Sequence, residues 1–315
     1  MTLQNIIREV WREEEERPKL VGPDMNAQQD ENWTKSFVTT LSEANVTLEA
    51  FTIHAYDGSG HEHQVPGKLA HELPTPGYLD KLVRTGARYK AWLASLAPAT
   101  ELWIGEYADL AGSGLPGVSD SYEGVIQYMD SFGALARQGY KVLARQSLLG
   151  GDYELIDRDT FTPNPDYWIA YLWPRLMSTH VLDVAVAACD DGVNVSQVVR
   201  AYAHCGLAPG GVSLALINLS PDRALSIDIE GLHAVRSTPR KEYHLSGTAS
   251  GAGGNTSENL ASRTMYTNRK PFSATSLQEP LLATAEKPIC LAPLTVAFVE
   301  IPDAGAAACQ GQEQP

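Results

Sequence analysis

The sequence predicts an α/β segment of about four parallel βα units followed by an antiparallel β-sandwich. Helical and strand patterns alternate up to about residue 180, as expected where helices connect the parallel strands of one sheet. After that point the apolar runs become short, β-rich and mostly separated by turn residues. We therefore expect two domains, residues 1–179 and residues 180–315.

The individual elements follow from hydrophobic periodicity. Helices are expected at residues 3–16, 31–44, 77–96, 119–138 and 165–178, the last with a kink at Pro174. Parallel strands are expected at residues 18–24, 48–56, 101–106 and 140–146. Later strands are expected at residues 181–188, 196–205, 211–219, 224–229 and 294–301, without a helix between them. The Gly/Ser-rich stretch 246–259 is expected to be a mobile loop.

Composition argues against several functional classes. The chain has 38 acidic and 24 basic side chains, a formal net charge of −14, and no basic patch of the kind that binds nucleic acid. No apolar run approaches the length of a membrane span, so we expect no transmembrane segment, and the chain start lacks the apolar stretch of a signal peptide. No cysteines form a Cys-x-x-Cys pair, and His61-Glu62-His63 is interpreted as an accidental run, so we expect neither metal nor cofactor.

Polar side chains end three of the predicted parallel strands. His54 and Tyr56 end the second strand, Glu106 ends the third, and Gln146 ends the fourth. Catalytic groups of a (β/α) barrel project from these strand ends, and a carboxylate near a tyrosine suits the nucleophile of a glycosidase. The alternative is that Glu106 is a solvated edge residue or an ion-pair partner.

Five segments resemble heparanase and related endo-β-glucuronidases. They are VGPDM, TIHAY, LWIGEYADLAGSG, ARQSLLGGDYELID and PDYWIAYLWPRLMSTHVL, in the order of that family's barrel strands five to eight and last helix. The resemblance implies an incomplete TIM (β/α) barrel joined to a β-sandwich. It also implies a retaining glycoside hydrolase that cleaves at a β-linked glucuronic acid, with a glucuronic-acid-containing glycan as its partner.

The resemblance assigns roles to individual residues. Glu106 matches the nucleophile, and His54 and Tyr56 match the residues beside it, with Tyr56 orienting the carboxylate. Glycines at the matching subsite let backbone N–H groups approach a carboxylate closely. The positions that match those holding the uronic acid are Gly112, Gln146, Gly151 and Tyr153.

The resemblance also implies a disulfide between Cys205 and Cys309. Closing a loop of about 100 residues would contribute roughly 4–5 kcal/mol in the loop-entropy model. Cys189 and Cys290 have no such match and are interpreted as buried thiols.

The sequence departs from the family pattern at the second carboxylate. The family's acid/base residue lies in an Asn-Glu-Pro motif, which this sequence does not contain. We therefore expect a C-terminal part of a larger secreted or lysosomal enzyme, without barrel strands one to four, that is inactive and poorly stable alone. Glu62, Glu72 and Asp109 are the alternative second carboxylates, and Asp24 is interpreted as a turn residue.

The substrate is also left open by the sequence. Residues 25–32 and 57–64 contain no Lys or Arg, so long-range attraction for a sulfated polymer should be weak, and a less sulfated uronic-acid glycan fits at least as well. Two other hypotheses remain: a non-catalytic protein that binds glucuronate glycans, and a structural protein with a vestigial half-barrel. Peripheral membrane or matrix association is open, and Asn-x-Ser/Thr sequons are consistent with a glycoprotein.

Overall fold

The computed structural model describes residues 3–26, 31–59, 72–189, 192–232, 239–250, 256–272, 279–284 and 286–311. Its first part is one four-stranded parallel sheet with the strand order β1-β2-β3-β4. The strands are β1 (Val21–Met25), β2 (Ala50–Ser59), β3 (Glu101–Ala111) and β4 (Val142–Arg145). The helices are α1 (Leu3–Val10), α2 (Glu31–Glu43), α3 (Pro76–Leu96), α4 (Tyr122–Gln138) and α5 (Pro165–Leu176).

The predicted alternation of strands and helices is confirmed, with shorter helix ends. The first helix ends at Val10 instead of continuing through the acidic run, where only a 3₁₀ turn forms at Glu14–Glu16. Neighbouring carboxylates repel one another on a helix, which explains the early end. Helix α5 contains Pro174 near its end, as expected. Among the described residues, no helix has the length and apolar character needed to cross a membrane.

The third strand is longer than predicted, and this changes the position of Glu106. Strand β3 runs on to Ala111 because β2 also extends and pairs with it in parallel as far as Ser59. Glu106 therefore lies in the middle of β3 instead of at its end. The pairing passes from Ile53↔Ile104 to His54↔Glu106, so one residue of β3 bulges immediately before Glu106.

The second part of the chain is antiparallel, as predicted. Its larger sheet has the order β11-β10-β9-β14-β7-β6-β5, with β12 also paired to β9, and a separate pair joins β13 to β8. The strands are β5 (Val181–Leu182), β6 (Val199–Cys205), β7 (Val212–Asn218), β8 (Leu225–Ile227), β9 (Arg240–Ser246), β10 (Tyr266–Thr267), β11 (Lys270–Pro271), β12 (Leu281–Ala283), β13 (Ile289–Leu291) and β14 (Val296–Ile301).

One expectation for this part is wrong, and another, the mobile loop at residues 246–259, is tested only in part because residues 251–255 lie outside the described residues. A short helix, α6 (Thr256–Leu260), forms where no helix was expected, and it takes up the end of the stretch predicted to be a loop. The Asn259 side chain links this helix to the residues that follow β9 and precede β14. It accepts a hydrogen bond from Gly247 N–H and donates one to the Leu294 carbonyl. The bond between Gly247 and Asn259 links positions near the two ends of the predicted loop, which a Gly/Ser-rich composition does not reveal.

The cysteines are partly as predicted. Cys205 and Cys309 form a disulfide with Cα atoms 5.4 Å apart, which ties β6 to the last described turn. Cys189 and Cys290 are exposed, so their interpretation as buried thiols is wrong. In β13 the neighbours Ile289 and Leu291 are buried, and strand alternation then turns Cys290 outward.

One hydrophobic core joins the two parts. Side chains of α4 and α5 pack against the face of the large sheet that carries Tyr202, Ile217 and Phe298. The contact is close: a Cβ added to Gly133 of α4 would lie 2.1 Å from the Tyr202 ring. A second core, which includes Ala297, lies between the other face of that sheet and the β8–β13 pair.

Candidate active site

Strands β2 and β3 place His54, Tyr56 and Glu106 together. The Tyr56 hydroxyl donates a hydrogen bond to Oε1 of Glu106. On the other side, Nδ1 of His54 lies 3.5 Å from Oε2 of Glu106. The side chain of Glu106 keeps 29% of its exposure, so the carboxylate is held by its neighbours and is still open to solvent.

Tyr56 can act only as a donor in this contact. Burial raises the pKa of Tyr56 far above its ordinary value, and the hydrogen bond and negative charge of Glu106 raise it further. The phenol is therefore protonated throughout the physiological range. Its O–H fixes one oxygen of Glu106 and leaves the other on the side of His54.

Two loops meet beside this carboxylate. Gly112, Ser113 and Gly114 follow β3 with φ angles of 80°, 80° and 84°, in the left-handed region that favours glycine. The Asp152 N–H donates to the Ser113 carbonyl, and a Cβ on Gly114 would lie 2.9 Å from Tyr153 N. The absence of that Cβ lets the loop after β4 lie directly against the loop after β3.

The second loop brings Tyr153 to the site. Its ring centroid lies 6.5 Å from that of Tyr56, which donates to Glu106. The loop is anchored by Arg145, which donates to the Tyr153 carbonyl at 2.9 Å and to the Asp166 carboxylate at 2.6 Å. The Arg145 and Asp166 side chains are only 5% and 3% exposed, so the anchor is a buried ion pair.

The remaining predicted residues lie on the same two loops. Gly151 has a φ of 82° and precedes Tyr153 by two residues, and Gln146 follows β4, where its N–H donates to the Tyr107 carbonyl. The structure thus gathers all the predicted catalytic and uronate-binding positions around the β2–β3–β4 edge. The roles of these residues stay predictions.

The sequence analysis missed Asp24 and the partner of Arg145. Asp24 was interpreted as a turn residue, but its Oδ2 lies 3.6 Å from Nε2 of His54. A φ of 54° and a register shift in β1 between Pro23 and Met25 give its side chain this direction. In the sequence, only the position of Asp24 directly after Gly22-Pro23 could have indicated an unusual backbone there. Asp166 opens α5 and is 21 residues from Arg145, too far for a local pattern to link them.

Of the alternative second carboxylates, the two that the structure describes, Glu72 and Asp109, have no contact with Glu106. Asp109 is only 1% exposed and accepts from Ser119 Oγ, and burial raises the pKa of Asp109. Glu72 lies exposed in the turn before α3. Glu62 and its neighbours His61 and His63 fall outside the described residues. Within the described ranges, no group of three His, Cys, Asp or Glu side chains could hold a metal ion.

Comparison with known proteins supports the family resemblance. The family described as Glycosyl hydrolase family 79, N-terminal domain, matches residues 1–133. Heparanase-like protein 2 of Arabidopsis thaliana is 29% identical over 98% of this chain and 60% of its own length. Baicalin-beta-D-glucuronidase of Scutellaria baicalensis is 26% identical over 95% of this chain and 53% of its own length. The chain thus spans about 60% of the length of the first of these relatives.

Solved structures support the fold. The GH51 α-L-arabinofuranosidase of Thermotoga petrophila RKU-1 superposes with a TM-score of 0.62, over 96% of this chain and 62% of that one. Its sequence identity is 13%, so this likeness concerns the fold alone. The resemblance first recognised in five short segments is confirmed: a model of glycosyl hydrolase family 79 matches the first 133 residues, and the curated relatives include heparanase-like proteins and heparanase itself.

Proposed function

We propose that this chain carries the nucleophile of a retaining β-glucuronidase, and that Glu106 is that nucleophile. The observation that carries the proposal is the hydrogen bond from Tyr56 to one oxygen of Glu106. It leaves a partly exposed carboxylate whose second oxygen can attack the anomeric carbon of a sugar. Attack would break the glycosidic bond and give a covalent glycosyl–enzyme ester, while the leaving oxygen takes a proton from an acid/base residue. Water then hydrolyses the ester with retention of configuration.

A retaining glycosidase also needs an acid/base carboxyl about 5–5.5 Å from the nucleophile. None of the alternatives that the sequence offers within the described residues lies beside Glu106. The four parallel strands are half the number of a (β/α)8 barrel, and the relatives extend well beyond this chain. We infer that the acid/base residue belongs to the other half of the barrel, and that the division into domains falls at residues 179 and 180.

The uronic acid would lie between the two loops that follow β3 and β4. Gly112 and Gly151 have left-handed backbones without side chains, so their N–H groups are accessible to a carboxylate. Tyr153 lies beside Tyr56, with ring centroids 6.5 Å apart, so both phenols would border the position of the sugar ring on the same side. These contacts favour a sugar with a carboxylate at C5, in agreement with the glucuronidase named among the relatives.

The charges near the site favour a substrate with little or no sulfate. Arg145 is committed to Asp166, and Arg158 is shared between Glu154 at 3.1 Å and Asp152 at 3.8 Å. The positive charge of each of these two arginines is thus balanced by nearby carboxylates and does not attract a sulfate group. The Cys205–Cys309 disulfide further supports a parent protein that works in an oxidising compartment, secreted or lysosomal.

Covalent labelling tests the proposal on the chain as it stands. A 2-deoxy-2-fluoro-glucuronyl fluoride needs no acid catalyst, because fluoride leaves without a proton, and the fluorine slows hydrolysis of the ester. We expect mass spectrometry to find one glucuronyl adduct on the peptide that contains Glu106. Glu106→Gln should abolish the adduct, and the control Glu72→Gln should retain it. An adduct elsewhere, or glucuronate binding without any adduct, would overturn the proposal, and the second result would favour a binding protein.

A further inference from the structure

Three departures from regular strand geometry converge on Asp24. The pairing of β1 with β2 shifts between Pro23 and Met25, so Asp24 is the residue without a regular partner. Its φ of 54° lies in the left-handed region, which is uncommon for a residue with a side chain. The pairing of β2 with β3 shifts at Gly105. Bulges of this kind redirect side chains beside functional sites.

The bulges place the Asp24 carboxylate over the residue before the proposed nucleophile. A Cβ added to Gly105 would lie 1.8 Å from Oδ1 of Asp24, a separation that no real Cβ contact shows. The carboxylate therefore occupies the space of the missing side chain. Gly105 has no left-handed φ, so a side chain at this position would act by displacing the Asp24 carboxylate and not by straining the backbone.

His54 lies between two carboxylates. Its Nε2 is 3.6 Å from Asp24 Oδ2, and its Nδ1 is 3.5 Å from Glu106 Oε2. An imidazole donates from one nitrogen when neutral and from both when protonated, so a carboxylate at one nitrogen influences what the other presents. Carboxylates near both nitrogens favour this orientation of the ring.

We propose that Asp24 is a positioning residue that acts through His54 to orient the Glu106 carboxylate. The inference rests on the proposed role of Glu106 as nucleophile. Asp24 itself does not touch the sugar in this scheme. It holds the far nitrogen of His54, so that the near nitrogen and the Tyr56 hydroxyl together set the direction of the attacking oxygen.

A double-mutant cycle tests whether Asp24 acts through His54. The rate of labelling by the fluoro-glucuronyl fluoride is measured for wild type, Asp24→Asn, His54→Gln and the double variant. We expect Asp24→Asn to slow labelling by about tenfold at unchanged glucuronate affinity, the size typical of residues that orient a reacting group. In the His54→Gln background the same change should have no further effect. An equal loss in both backgrounds, or no loss in either, overturns the proposal.

Glycine variants provide a second approach that leaves Asp24 and His54 unchanged. Gly105→Ala places a methyl group where the Asp24 carboxylate lies, so it should reproduce the slower labelling of Asp24→Asn. Gly22→Ala is the matched control, because a Cβ there meets nothing within 4 Å. Equal rates for Gly105→Ala and Gly22→Ala would contradict the proposal.

A spectroscopic measurement separates this inference from the proposed function. In ¹⁵N-labelled chain at fixed pH, Asp24→Asn should shift the Nε2 resonance of His54, while Glu106→Gln should shift Nδ1 most. An Nε2 resonance that is unchanged in Asp24→Asn refutes the contact. Failure of the wild type to label, with the Nε2 shift present, would refute the nucleophile and leave the Asp24–His54 contact supported.

Discussion

At the scale of single residues, the Tyr56 hydroxyl determines which oxygen of the proposed nucleophile, Glu106, stays free. The Glu106 carboxylate has two equivalent oxygens, and the hydrogen bond from Tyr56 makes them different. Because the pKa of Tyr56 is raised by burial and by Glu106 itself, this donor is present at every physiological pH. The free oxygen is then the one beside His54.

Tyr56→Phe removes this donor and keeps the ring. Hydrogen bonds to charged groups contribute about 1.5–3 kcal/mol, so we expect labelling of Glu106 to slow by roughly 10- to 100-fold. The rate constant for adduct formation is the measurement. Tyr171→Phe, on α5 with Arg175 over its ring at 3.6 Å, is the control and should label like wild type. A Tyr56→Phe variant that labels at the wild-type rate would show that the bond does not matter.

The site residues differ in how far the sequence reveals them. Glu106, Tyr56 and His54 lie in short motifs whose resemblance to a family is specific, so the sequence could predict that these three side chains lie together. The contacts made by Asp24 and by the Arg145–Asp166 pair depend on where the fold brings distant segments together. A contact between distant segments has no motif of its own, and for that reason Asp24 was interpreted as a turn residue.

At the scale of elements, strand existence was predictable and strand length was not. The four parallel strands stand out because apolar runs alternate with helical periodicity. The end of β3 was placed at Glu106 because a carboxylate usually marks the end of a buried run, yet pairing with β2 carries β3 on to Ala111. The two- and three-residue strands β10 to β13 are too short for alternation to be detected.

The contact between the two loops gives a prediction at this scale. Gly114→Ala should weaken binding of glucuronate to the chain, because its Cβ would lie 2.9 Å from Tyr153 N and would push the loops apart. Gly117→Ala is a matched control: its φ of 76° carries the same backbone strain, about 1–2 kcal/mol, and its Cβ meets nothing within 4 Å.

Both variants should lose the stability that the left-handed strain costs, Gly114→Ala should lose more because of its clash with Tyr153 N, and only Gly114→Ala should also lose glucuronate affinity, measured by calorimetry. Equal affinities in the two variants would mean that the close approach of the loops does not shape the binding site. Comparison with Gly117→Ala removes the general effect of placing alanine in a left-handed conformation.

At the scale of the whole molecule, helix α4 is the element that both parts of the chain share. The Tyr122 hydroxyl donates to the Leu245 carbonyl of β9, and the Tyr202 hydroxyl of β6 donates to Asp130 at 2.6 Å. Gly133 lets the Tyr202 ring lie against the helix axis. The proposed barrel half is thus fixed to the antiparallel sheet through a helix that carries buried acids.

These buried acids make the stability of the folded chain depend on pH. Burial raises the pKa of Glu123 from 4.5 to about 8 and that of Asp130 from 3.8 to about 6. Above pH 4.5 the unfolded chain releases the Glu123 proton, whereas the folded chain keeps it up to about pH 8. The folded state binds more protons in this window, so stability falls as pH rises through it.

We expect the midpoint of thermal unfolding to be several degrees higher at pH 5 than at pH 8, measured by circular dichroism at constant ionic strength. Glu123→Gln removes one titrating group and should reduce the difference by raising the midpoint at pH 8 relative to wild type. Glu258→Gln, exposed on α6, should leave the profile unchanged. A wild-type midpoint that stays level or rises from pH 5 to pH 8 would show that these acids are ionised in the folded chain. The expected direction would suit a protein that works in an acidic compartment.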